Sequence, residues 1–316
     1  MRVVDLGHPP TDPPAPTGVV IAVGSAADIA SPPAQPWLDR ATFTLSEDAV
    51  ADRRVVTVES SAAALAELTS RHRTWPQAAT VCDDVLRTAD PAAPAPAGVI
   101  TESLAYSTLQ SGAEFAAWLR RRGPASAPVL PQPVLADRDG DTLYVRFNRP
   151  ARHNAFSNDA RAALLEVLDI ARLDPSVDEV VLTGNGPSFC SGGDLAEFGS
   201  FADPASAHIA RVRHSPALVL DELAARLGER CRAQVHGQVL GSGLEMAAFC
   251  GWVAAHDESV FGLPEMSLGL IPGAGGTVSV TRRVGRWRTA YLVLSGRTID
   301  AATALGWGLV DAVEAA

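Results

Sequence analysis

Two glycine-rich turns carry the clearest chemical promise in this chain. Phe189-Cys190-Ser191-Gly192-Gly193-Asp194 and Gly241-Ser242-Gly243-Leu244-Glu245 each follow strand-like sequence and precede helix-like sequence. Such a turn leaves backbone N–H groups uncommitted at a helix start, where partial positive charge favours an anion. Two of them brought together would cradle a developing oxyanion. Either one alone fits the plainer reading, in which glycine only allows the chain to bend. Other chemistries fail on spacing. No third glycine completes G-x-G-x-x-G after Gly241, and Gly273-Ala274-Gly275-Gly276-Thr277 lacks the Lys-Ser/Thr of a P-loop. No serine stands in G-x-S-x-G, and the seven histidines show no metal-ligand pairing. All 26 basic residues are arginine, so lysine nucleophiles and Schiff bases are excluded.

The elements that must hold these turns read as an α/β alternation. Leu143 to Phe147 predicts a strand ended by Asn148-Arg149-Pro150, and Ser157 an N-cap before a helix with Leu164, Leu165, Leu168 and Ala171 on one face. Glu179 to Leu182 predicts the strand that feeds the loop Gly184 to Gly193. Cys231 to Val239 and Trp252 to Ala255 predict further strands, separated by a helix starting near Gly243. Upstream, Val19 to Val23 and Val55 to Val58 are strand-like, while Ala62 to Leu68 and Glu102 to Leu119 have helical apolar spacing. Residues 121 to 133, rich in proline and arginine, read as a linker. Two domains are therefore expected, an accessory α/β unit over 1–130 and a catalytic unit over 134–316. Residues 1 to 17 are expected to form a poorly ordered tail.

Five blocks stand in order along the second unit. They are Asn148-Arg149-Pro150 with Asn154-Ala155; the Phe189 turn; His236-Gly237 with the Gly241 turn; Leu263-Pro264-Glu265 running through Gly269 to Thr277; and Leu294-Ser295-Gly296-Arg297 with Ala301 to Ala304 and Gly308-Leu309-Val310. Over residues 141 to 312 they resemble the enoyl-CoA hydratase/isomerase, or crotonase, superfamily. The resemblance implies a spiral of repeated β-β-α units and an acyl-CoA thioester substrate. The thioester oxygen would be gripped by the N–H groups of Gly193 and Ser242, because it gains charge as an enolate-like state forms. Both carboxylate positions of the hydratases are filled, by Glu245 and Glu265. Glu245 would take a proton from water and Glu265 would deliver one to the α-carbon. The first turn of a helix favours an ionised Glu245, and the Gly273 amide could orient the same water. Arg149, Arg152, Ser191 and Asp194 are the expected substrate contacts, the arginines toward coenzyme A.

The implied activity is hydration of a 2-enoyl-CoA by a hydro-lyase without metal or redox cofactor. Isomerase, lyase or cofactor-free dioxygenase chemistry on a specialised acyl-CoA, or a non-catalytic acyl-CoA scaffold, are the alternatives. Relative to the family, the helical C-terminal region reads as truncated, with about 130 additional residues in front. Helix-like Thr101 to Arg120 is expected to pack on the core in place of the missing helices; the alternative is that the N-terminal unit is a degenerate copy of the family's β-β-α unit.

Composition bounds the partners. Of 316 residues 47% are hydrophobic and 20% charged, an ordinary globular balance, and the net charge of -10 disfavours broad contact with nucleic acid or anionic membrane. Four cysteines lie far apart, and no run of about 18 apolar residues or apolar leader occurs. A cytoplasmic protein is expected, and the family resemblance implies a homo-oligomer, a trimer or hexamer.

Overall fold

The computed structural model describes residues 1–11, 18–128, 130–201 and 203–315. The chain opens with a four-stranded, wholly parallel sheet of β1 (Arg2–Asp5), β2 (Val20–Val23), β3 (Phe43–Ser46) and β4 (Val55–Thr57), in that order. Two short helices, α1 (Ala26–Ala30) and α2 (Gln35–Arg40), cover it, with Trp37 and Leu38 buried beneath α2. Four helices follow: α3 (Ser61–Thr74), α4 (Pro76–Thr88), α5 (Ala95–Gln110) and α6 (Ala113–Arg122).

The second part is built on a six-stranded sheet. Its strands are β5 (Val134–Asp139), β6 (Thr142–Phe147), β7 (Glu179–Gly184), β8 (Cys231–Val235), β10 (Trp252–His256) and β13 (Ala312–Glu314), in the order β13-β10-β8-β7-β6-β5. Only β5 and β6 run antiparallel; the other pairs are parallel. A smaller sheet joins β9 (Gln238–Leu240), β11 (Val260–Gly262) and β12 (Ile299–Asp300). The helices are α7 (Asn158–Leu173), α8 (Pro204–Arg213), α9 (Pro216–Leu227), α10 (Ser242–Ala247), α11 (Gly276–Ser295) and α12 (Ala301–Trp307). Ser157 does cap α7, accepting the Ala160 N–H at 3.2 Å, and Leu164, Leu168 and Ala171 are buried while Leu165 is half-buried.

One hydrophobic core runs through both parts. Phe43, Leu86, Val99 and Tyr106 belong to the same buried cluster as Leu182, Phe249, Val280 and Leu292. Polar contacts reinforce it: the Trp287 indole donates to the Leu38 carbonyl at 3.1 Å, and the Arg71 Nε to that of Leu294 at 2.8 Å. Helix α11, kinked at Gly285 where the backbone is non-helical (φ 82°, ψ 159°), is the element against which α3, α4 and α5 all pack.

Several expectations require correction. Residues 2–5 are an ordered strand, because their backbone pairs in parallel with β2 and Val4 is buried; residues 12–17 lie outside the described residues. The helix expected over Glu102 to Leu119 is two helices, broken at Ser111-Gly112, where Gly112 is extended (φ -82°, ψ 161°). The single strand expected over Cys231 to Val239 is divided at Gly237, so β8 and β9 join different sheets. Helix α4 and strands β3 and β5 add to the expected elements; Ala78, Ala79, Cys82, Val85 and Leu86 form the buried face of α4 at helical spacing.

Because α3, α4 and α5 cover α11, deleting residues 1–130 uncovers a large apolar face. Expressed alone, residues 131–316 should be insoluble or lose the cooperative melt of the full chain; a soluble, cooperatively melting fragment would contradict this packing.

Candidate active site

Both glycine turns open onto one cleft with about 940 Å3 free of protein atoms. They are stitched together by backbone hydrogen bonds between Cys190 and the β9 strand, Cys190 N–H to Gln238 at 3.1 Å and Leu240 N–H to Cys190 at 2.9 Å. Gly193 and Ser242 both line the cleft, and neither N–H makes a hydrogen bond among the described residues. Uncommitted donors of this kind suit a substrate oxygen.

The carboxylates stand beside them. Glu245, in the first turn of α10, is 2% exposed, and its Oε2 accepts the N–H groups of Ala274 at 2.7 Å and Gly276 at 2.8 Å. Glu265 begins the 3-10 turn Glu265–Leu268 and is 8% exposed; its Oε2 is buried with no hydrogen-bond partner. Its Oε1 lies so near Gly241 that a β-carbon there would come within 2.5 Å, and the positive φ of Gly241 (47°) favours glycine at that point. Gly273 lines the same cleft, its N–H unpaired among the described residues.

Burial dominates the electrostatics. Glu265 is pushed up to about 8 by loss of water, and Glu245 well above the usual carboxylate range by burial and then by the nearby Glu102 and Glu265. The helix start and the two N–H bonds act in the opposite direction and favour an ionised Glu245.

The other expected contacts fare unevenly. Asp194 reaches the cleft, but its carboxylate is taken by Arg149 at 2.8 Å, Arg152 at 3.0 Å and the Ala196 N–H at 3.1 Å. Arg149 is 2% exposed and also donates to the Ala155 carbonyl, so it braces the turn and does not face a coenzyme. That overturns its assignment to phosphate binding. Arg152 is half-exposed beside it. Ser191 is fixed through its N–H to His153 and lies outside the cleft wall.

Two residues escaped the sequence reading. Tyr106, from α5, lines the cleft and presses its ring on Gly273, where a β-carbon would meet it at 2.6 Å; the Arg211 guanidinium lies 4.4 Å over that ring. Glu102, one helical turn earlier, is 1% exposed and bonded to the start of α11. The available signal was that Glu102 is the one charged residue in the sixteen of α5.

The paired carboxylates, uncommitted amides and two-sheet α/β frame define an acyl-CoA enzyme of the enoyl-CoA hydratase type. The family described as enoyl-CoA hydratase/isomerase matches residues 138–316, and the chain belongs to it. A 2,3-dehydroadipyl-CoA hydratase of Escherichia coli is 37% identical over 183 residues, covering 57% of this chain and 68% of the relative. A probable enoyl-CoA hydratase of Mycobacterium tuberculosis is 34% identical over 186 residues, with the same two coverages of 57% and 68%. Among solved structures, Pseudomonas aeruginosa AtuE superposes with a TM-score of 0.52 at 32% identity, covering 58% of this chain and 70% of that one. An enoyl-CoA hydratase from Thermoplasma volcanium gives 0.50 at 33%, covering 58% and 72%. Residues 1–137 lie outside the family match. Among the described residues no helix is long and apolar enough to cross a membrane.

A carboxyl whose pKa is higher folded than unfolded binds more protons when folded, so its contribution to stability is lost as pH rises. For Glu265 the window runs from about 4.5 to about 8. Glu265→Gln should therefore gain stability over the parent as pH rises from 5 to 9, on the order of 2–4 kcal/mol. Urea denaturation at both pH values measures it, and an equal difference at the two would refute the assignment.

Proposed function

We propose that the cleft adds water across the 2,3 double bond of an enoyl-CoA. The observation that carries this is the meeting, in one cleft, of two unpaired backbone N–H groups and two buried carboxylates. The thioester oxygen would accept from Gly193 and Ser242, each donor typically worth about 3 kcal/mol as negative charge builds on that oxygen. Water would sit between the Gly273 N–H and the free Oε1 of Glu245. As the water oxygen bonds to the β-carbon, its proton passes to Glu245, the electron pair of the double bond moves toward the carbonyl, and Glu265 gives its proton to the α-carbon.

The hydrogen bonding supports this division of roles. Glu245 accepts two N–H donors and is equipped to carry charge, whereas the bare Oε2 of Glu265 has nothing to stabilise an anion and favours the acid form. The reacting groups all lie in residues 134–316. Residues 1–130, kept here as the accessory unit, supply the wall at Tyr106 and Gln110. Both proton transfers use protein carboxyls, so the reaction as proposed calls for no metal or redox cofactor. Arg152 remains the proposed contact to coenzyme A. A cytoplasmic homo-oligomer belongs to the same proposal and rests on the family.

Loss of the conjugated enoyl-thioester absorbance of crotonyl-CoA or a longer homologue tests the reading. Glu245→Gln and Glu265→Gln should each lower kcat about a hundredfold or more, the usual scale for losing a general base or acid. A change within about threefold at either position would remove that residue from the mechanism.

A further inference from the structure

The start of α11 offers four consecutive backbone N–H groups, and they alternate between two glutamates. Ala274 and Gly276 donate to Glu245 Oε2 at 2.7 and 2.8 Å. Gly275 donates to Glu102 Oε1 at 2.7 Å, and Thr277 to Glu102 Oε2 at 2.8 Å. The Thr277 hydroxyl adds a third bond to Glu102, its second at Oε2, at 2.7 Å. The two carboxylates thus approach one helix end from opposite sides, one from α10 beside the oxyanion turn and one from α5 in the segment outside the family match. The other groups facing this pair are Glu265, Tyr106, Arg211 from α8, Cys82 from α4 and Cys190. Of these only Arg211 carries positive charge, and it is committed to Ser103, Ser107 and Gln110.

We infer that Glu102 is a positioning residue for the hydration site: it fixes the 274–277 turn that aims Glu245 at the water, and its charge, lying across that turn, sets how tightly Glu245 holds a proton. The inference rests on the assignment of Glu245 as base. Its geometry is reciprocal. If Glu102 lets go, Gly275 and Thr277 lose their acceptors, and the Ala274 and Gly276 amides that grip Glu245 move with them. A displacement of about 1 Å at a reacting group costs roughly a hundredfold in rate. An ionised Glu102 also disfavours ionisation of Glu245, because like charges sharing one site push each other's proton affinity up. Glu102 does not reach the cleft wall, so it acts on substrate only through Glu245 and the turn.

The test compares Glu102→Gln, Glu102→Asp and Thr277→Val with the full-length parent. Glutamine keeps the size but offers one acceptor where two are needed and carries no charge. For Glu102→Gln, kcat should fall about tenfold to a hundredfold, with KM for crotonyl-CoA within about threefold. The acidic limb of its kcat/KM profile should move to lower pH by about one unit, because the neighbouring charge is gone. Glu102→Asp keeps the charge but shortens the reach, so kcat should fall without that shift. Thr277→Val removes a single bond and should show a smaller loss, which keeps the test alive if the Glu102 variants misfold. An independent readout needs no turnover: infrared absorption of protonated buried carboxyls, titrated from pH 5 to 9, should show a lower titration midpoint in Glu102→Gln. If the parent hydrates no enoyl-CoA yet this midpoint shifts, the function reading fails and the coupling stands. If the parent is active but kcat, pH limb and infrared titration of Glu102→Gln all match it, the positioning role is overturned.

Discussion

Four backbone amides at the start of α11 set the terms for the rest of the molecule. A helix start leaves its first N–H groups without partners, and each costs about 1–3 kcal/mol when buried unpaired. Here two of them, at Gly275 and Thr277, are satisfied by Glu102, and those of Ala274 and Gly276 by Glu245. The dependence is mutual, because a carboxylate taken from water needs such donors to be tolerable at all. Three elements distant in sequence, α5, α10 and α11, are therefore locked at one point beside the cleft.

The same arrangement crowds acids. Glu102, raised to about 7, Glu245 and Glu265 are all buried and lie within each other's field. A protein designed for stability alone would not gather them. The opposing contribution comes from ordinary packing: Val280, Val284 and Leu292 of α11 are buried, and Phe43 and Tyr291 meet edge to face at 5.5 Å. Destabilising chemistry at one end of a helix is offset by apolar burial along its length.

What the sequence revealed follows from how local each signal is. The strand-turn-helix unit around Ser242 is readable because its glycines act over a few residues; after Gly193 the expected helix is absent, and the chain makes turns over 195–199 before α8 begins at Pro204. Glu245 and Glu265 were readable through the family blocks around them. Arg149 was misread because nothing in Asn148-Arg149-Pro150 says that Asp194, 45 residues on, consumes its charge. Glu102 went unread for the same reason, since its partners stand 173 and 175 residues away. The break at Ser111-Gly112 is hidden because apolar residues continue on both sides of it, Leu109 before and Phe115, Trp118 and Leu119 after. Burial, which decides the proton affinity of Glu245, is a property of the assembled core and has no local signature.

The shared core also bears on how the chain is made. Synthesis runs from the N-terminus, and α3, α4 and α5 emerge well before α11, whose surface they bury; Leu38 waits 249 residues for Trp287. Contacts of such long sequence separation pay their loop-closure entropy late and are slow to form. Until Gly276 to Ser295 leaves the ribosome, Leu86, Val99 and Tyr106 have no α11 to pack on. Nascent chains of this protein thus present apolar helices for most of their synthesis, a period in which chaperone capture competes with aggregation.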